Sequence, residues 1–143
     1  LEPWQADAIR NAKSDRARRR FAIAMVRWAL TQPMSFEPEI GEALEVAEHF
    51  AEGTVDDEQR REMRNRMIAL AKQLEVLEFD ELKKEEEVEG YSANTSVLCL
   101  NRSALLAAAN ATYEIDHAVS CEYFADEFIE RQRREIAKVL QED

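Results

Sequence analysis

Glu114-Ile115-Asp116-His117 has the E-x-x-H spacing with which ferritin-like bundles project a carboxylate and an imidazole from one helix face onto a di-iron pair. Such a centre needs a second E-x-x-H and further carboxylates from neighbouring helices. The only other histidine is His49, and the residue three before it is Val46, which cannot ligate. The set does not assemble. Glu45 and His49, one helical turn apart, read as a solvated pair rather than a metal clip, so neither a metal nor a cofactor is expected.

Nucleophilic chemistry fares no better. Cys99 and Cys121 are the only thiols, and each would need a histidine base and an oxyanion donor. His117 and Cys121 share a face at i, i+4, but that face belongs to the expected core stripe, where apolar surroundings raise a thiol's pKa instead of activating it. Three glycines cannot build a phosphate-cradling loop. The chain is therefore read as non-enzymatic, its cysteines as free buried thiols of a reducing, cytoplasmic compartment.

Charge is the next resource. Arg16, Arg18, Arg19 and Arg20 crowd the first turns of one helix, where the macrodipole disfavours cations. The expected compensation is ion pairing to carboxylates of the Glu39–Glu52 helix or of the acidic stretch Glu75–Glu89. Two further basic clusters, Arg60, Arg61, Arg64 and Arg66, then Arg131, Arg133 and Arg134, have acidic neighbours in the manner of solvent-exposed helices. The acidic stretch is the best candidate binding surface. Glu75, Glu78, Asp80, Glu81, Glu85, Glu86 and Glu87 supply the field, with Phe79 and Tyr91 as aromatic anchors. Its bland reading is a solvated hinge between two helical halves.

The elements that must position these residues are helices. Ala, Leu, Glu and Arg recur at helical spacing, Gly and Pro number three each, and no apolar alternation of period 2 occurs. The reading is an all-α, single-domain bundle of five to six helices with short loops and an acidic irregular segment near residues 80–95. Trp4–Lys13 forms a short helix after Pro3, with Trp4, Ala8 and Ala12 on one side. Ser14 and Asp15 cap a helix over Arg16–Thr31 whose inner face is Phe21, Met25, Trp28 and Ala29. Pro33 ends it, and Met34 and Phe36 tuck against neighbours.

A third helix over Glu39–Glu52 buries Ile40, Ala43, Leu44, Ala47 and Phe50. Gly53 follows as a C′ residue, and Thr54 as an N-cap with Asp57 three positions on. The next helix carries a seam of Met63, Met67, Leu70, Leu74 and Leu77, suited to one partner helix and open to pairing with a second copy. Helices over Ser96–Ala111 (Leu98, Leu105, Ala108 and Ala109 inward) and Asp116–Gln141 (Cys121, Phe124, Phe128, Ile136 and Leu140 inward) complete the bundle. Asp15, Arg19, Phe21, Trp28, Gly53 and Thr54 are the residues expected to hold the scaffold.

A chain of 143 residues can bury a core without disulfide or metal support. Its net charge of −11 disfavours nucleic acid and anionic membrane as direct partners and favours a basic protein. No apolar run is long enough to span a bilayer and no signal-peptide pattern is present. The chain opens on Leu1 rather than Met, the expectation for a domain cut from a longer protein.

Three blocks, D-R-x-R-R-R-F-A at Asp15–Ala22, A-L-E-V-A-E-H-F-A-E-G-T at Ala43–Thr54 and R-Q-R-R-E-I at Arg131–Ile136, resemble a family of all-α predicted immunity proteins of bacterial polymorphic toxin systems. Related helical modules of unknown role occur in other bacterial proteins. The blocks cover about a third of the chain, in the family's order, and consist mainly of packing and capping residues. The family's Ala-rich middle survives only as Leu105–Ala111, and the Glu-rich stretch replaces the rest. The resemblance implies neutralisation of a cognate toxin, basic and of nuclease type, by protein–protein binding. The competing reading is a helical adaptor or regulatory module of a larger assembly.

Overall fold

The computed structural model describes residues 2–30, 38–75, 99–119 and 126–142, apart from the side chains of 29–30, 71–75, 113–119 and 126. Among the described residues the protein is an all-α bundle of six helices and one closing 3-10 turn, without a strand. Helix α1 is Pro3–Arg10, α2 Asp15–Leu30, α3 Pro38–Ala51, α4 Asp57–Glu75, α5 Ala104–Val119 and α6 Asp126–Ala137, followed by the 3-10 turn Lys138–Gln141. No described helix is long and apolar enough to cross a membrane.

Each start has a local cause. Pro3 stands in the first turn of α1, where its missing N–H costs nothing, and the Glu2 amide donates to Gln5 Oε1 at 2.8 Å. Ser14 Oγ accepts from the Ala17 amide at 3.0 Å and caps α2. The end of α3 is a Schellman turn. Gly53 takes φ +77°, its amide donates to Phe50 O at 3.1 Å, and the Thr54 amide donates to His49 O at 2.8 Å.

Thr54 is thereby committed to ending α3 and does not cap α4. The cap of α4 is Asp56, whose Oδ1 accepts from the Gln59 amide at 2.8 Å while Gln59 Oε1 accepts from the Asp56 amide at 3.1 Å. The expected box of Thr54 and Asp57 thus moves two residues along. A left-handed C′ glycine consumes the following residue before a new helix can begin.

Helix α2 is the central element. Ala17, Phe21, Ala22, Ile23, Met25, Val26 and Trp28 are all buried, more of its circumference than a two-helix contact needs. Its most extensive pairing is with α5, which offers Ala104, Ala107, Ala108, Ala111 and Thr112 as a buried i, i+3, i+4, i+7, i+8 face. This corrects the expected face in part, since Ala108 is buried as expected and Ala109 half-buried. Leu105 is 47% exposed, because small side chains rather than leucines face α2 and let the two backbones approach.

Helix α5 begins at Ala104; of the helix expected over Ser96–Ala111, residues 96–98 lie outside the described residues and Cys99 is helical. Asn101 Oδ1 accepts from the Ser103 amide at 2.8 Å and Ser103 Oγ from the Leu106 amide at 3.3 Å, so the chain turns there before it can wind. Of the single last helix expected over Asp116–Gln141, Asp116–Val119 belong to α5, Asp126–Ala137 form α6 and Lys138–Gln141 the 3-10 turn, while residues 120–125 lie outside the described residues. On α6, Ile129 and not Phe128 (38% exposed) points inward, while Leu140 is buried as expected. Lys13 donates its amide to Leu140 O at 3.0 Å, tying the α1–α2 junction to the closing turn.

Met63, Met67 and Leu70 lie in the protein's own core, so this part of the α4 seam is not available to a second copy. Leu74 has no described side chain, and Met34, Phe36, Leu77, Leu98, Cys121 and Phe124 lie outside the described residues.

Candidate functional site

The cations of α2 are used within the fold. Arg16 meets Glu52, just past the end of α3, at 2.9 Å, and Arg27 Nε meets Glu48 of α3 at 2.9 Å. Arg20 meets Glu142 at 3.1 Å. Arg18 bridges Asp15 at 2.8 Å and donates to Ile9 O and Arg10 O, both at 2.9 Å, so a cation neutralises the carbonyl end of α1. The compensation expected for the crowded arginines thus comes from the Glu39–Glu52 helix, as the charge pattern implied, and also from Glu142 and from backbone carbonyls.

Arg19 has a different fate. It is 9% exposed, donates to Asn101 O at 2.6 Å and to Arg102 O, and lies 4.7 Å over the Phe50 ring. Burial pulls its guanidinium below the ordinary arginine range, the nearby charge of Asp15 opposing that and Arg60 adding to it. Arg60 approaches the same ring at 5.6 Å and donates to Leu100 O and to Asp57, both at 2.8 Å.

Arg60 was expected on a solvated face and is 7% exposed. The signal was present, because Arg60 continues the spacing of Met63, Met67 and Leu70 backwards by three. Arg61 and Arg66 do sit on the outer face, paired with Asp57 at 3.4 Å and Glu42 at 3.0 Å.

Of the residues singled out as a binding surface, Glu75 closes α4 with its side chain undescribed, and Glu78, Phe79, Asp80, Glu81, Glu85, Glu86, Glu87 and Tyr91 lie outside the described residues. Phe21 and Trp28 stand in the core, and Asp15, Arg19, Gly53 and Thr54 in the junctions already described. Cys99 is fully enclosed, and desolvation pushes its thiol up to about 12, partly offset by Arg19. The side chains of Glu114 and His117 are not described. Among the described residues no three His, Cys, Asp or Glu side chains gather as a metal set.

Between α2 and the end of α3 lies a groove of about 460 Å³ that Val139 of the 3-10 turn also lines. Arg20, Ile23, Ala24 and Arg27 of α2 line one side, Glu48 and His49 of α3 and Glu52 just after it the other. Sequence reasoning missed it, because the groove exists only through the crossing of two helices and the arrival of residue 139.

Charge is unevenly distributed along the chain. Residues 1–37 hold seven basic and four acidic side chains, the remainder twelve basic and twenty-six acidic. The basic part is the part whose cations α2 spends internally. Glu45, Glu58 and Glu62 are exposed on α3 and α4 and have no ion pair among the described residues. No family model, curated protein or solved structure matches the chain.

Proposed function

We propose that this protein is a non-catalytic binding protein that neutralises a basic, nuclease-type toxin by association, the role its resemblance to predicted immunity proteins implies. One observation carries the reading. Every arginine of α2 is engaged inside the fold, so the excess of carboxylates is what the surface offers a partner. A surface of one sign accelerates encounter with a protein of the other sign and makes the association salt-dependent.

The test uses the full chain and the basic protein encoded beside it. Calorimetry at low and high salt is expected to give a 1:1 complex that forms faster and tighter at low salt, and co-expression is expected to rescue growth. Absence of both binding and protection overturns the reading.

A further inference from the structure

Thr54 Oγ1 lies 3.1 Å from His49 O and 3.1 Å from His49 Nδ1. A hydroxyl has one proton. Spending it on Nδ1 would leave two oxygens facing each other at 3.1 Å with nothing between them. Spending it on the carbonyl satisfies both contacts, provided that Nδ1 carries a hydrogen and donates to Oγ1. The turn that ends α3 therefore places a hydrogen on Nδ1, and in the neutral imidazole Nε2 is then an acceptor with no hydrogen-bond partner among the described residues.

A second unmet acceptor lies on the neighbouring residue. Arg27 directs both Nε and Nη2 to Glu48 Oε1, which leaves Oε2 without a partner among the described residues. Both residues line the α2–α3 groove, together with the apolar Ala24 and Val139. The charged groups lining the groove with His49, Arg20 and Arg27 from α2, Glu48 from its own helix and Glu52 just after that helix, cancel in sum. A cation entering is not repelled and finds two open acceptors.

We infer that the groove receives a guanidinium side chain of the partner, its methylenes on Ala24 and Val139 and its N–H groups on Glu48 Oε2 and His49 Nε2. Arginine fits better than lysine, since a planar fork reaches two acceptors at once. The volume lies within the range of about 300–1,000 Å³ typical of binding pockets. The partner's basic character rests on the function proposed above; the state of His49 and the shape of the groove do not.

The probe is N-acetyl-arginine N-methylamide, titrated into the ¹⁵N-labelled full chain and followed by backbone amide and imidazole nitrogen shifts. The free protein is expected to show His49 protonated at Nδ1. The probe is expected to move Ala24, Val139, the His49 amide and Nε2 saturably, the lysine analogue doing so more weakly. Glu48→Gln is expected to weaken the probe about tenfold, the loss of one charge-assisted hydrogen bond. Ala24→Trp, which fills the groove, is expected to abolish the response.

An Nε2–H tautomer in the free protein, or probe shifts confined to other surfaces, overturns the inference. If the toxin binds the Ala24→Trp and Glu48→Gln chains as tightly as the parent, the groove assignment fails and the proposed function stands. If the toxin binds none of the three, that function fails, and the arginine probe still decides the groove.

Discussion

Arg19 and Arg60 hold three consecutive carbonyls, Leu100, Asn101 and Arg102, while both guanidiniums lie against one ring, Phe50. Three helices that are separate in sequence thereby converge on the turn that launches α5. Two like charges this close are tolerated because carbonyl dipoles, the face of the ring and Asp57 offset them. Arg19→Ala is expected to cost about 3 kcal/mol, two charge-assisted bonds with their carbonyls left buried. Arg19→Lys should recover about half of that, since an ammonium cannot fork. Urea midpoints at unchanged slope measure it. Arg16→Ala, whose ion pair is half-exposed, is the internal control at about 0.5 kcal/mol or less.

Gly53 separates torsional from steric cost. Its φ is +77°, yet a Cβ built there meets nothing within 4 Å. Gly53→Ala is therefore expected to cost about 1 kcal/mol from the left-handed backbone alone, and Gly53→Asn, which tolerates that region, distinctly less. A larger loss would mean that α3 and α4 repack around the new side chain.

Cys99 reports on the α2–α4–α5 core without a probe of its own. Fully enclosed and with its thiol pushed up to about 12, it is expected not to react with a thiol-specific reagent at neutral pH in the native protein. In a Cys121→Ser background its labelling rate should track global unfolding in urea. Rapid labelling without denaturant would show that the core opens locally.

The parts of this fold legible in the sequence are those set by neighbours in the chain. Ser14, Gly53 and the Ile40, Ala43, Leu44, Ala47 face act through contacts a few residues away, and each is found as the spacing implies. Leu105 and Phe128 show where such reasoning ends. Both are large and apolar at core-like spacing, yet both are exposed, because alanines, not leucines, face α2 on α5 and Ile129 takes the inward position on α6. Arg60 is the converse, a charged residue at a seam position whose burial depends on a carbonyl forty residues away. The α2–α3 groove was illegible for the same reason, since its walls come from three separate stretches of chain. The charge distribution was legible throughout, and the structure adds where the positive half of it goes.

Asp57 ties acid stability to the same junction. It accepts from Arg60 Nε at 2.8 Å and pairs with Arg61 at 3.4 Å. Chiefly through the Arg60 hydrogen bond, its carboxyl is held below the ordinary 3.8. A carboxylate whose folded-state value is depressed stabilises the fold fully above its unfolded-state value and loses that stabilisation as pH falls through the folded-state one. Asp57→Asn is therefore expected to destabilise the protein at neutral pH, and the gap to the parent should close as the pH drops below 3.8. Urea midpoints of both chains across that range measure it. A gap that persists at the acid end would assign the effect to the geometry of the first turn of α4 rather than to the charge of Asp57.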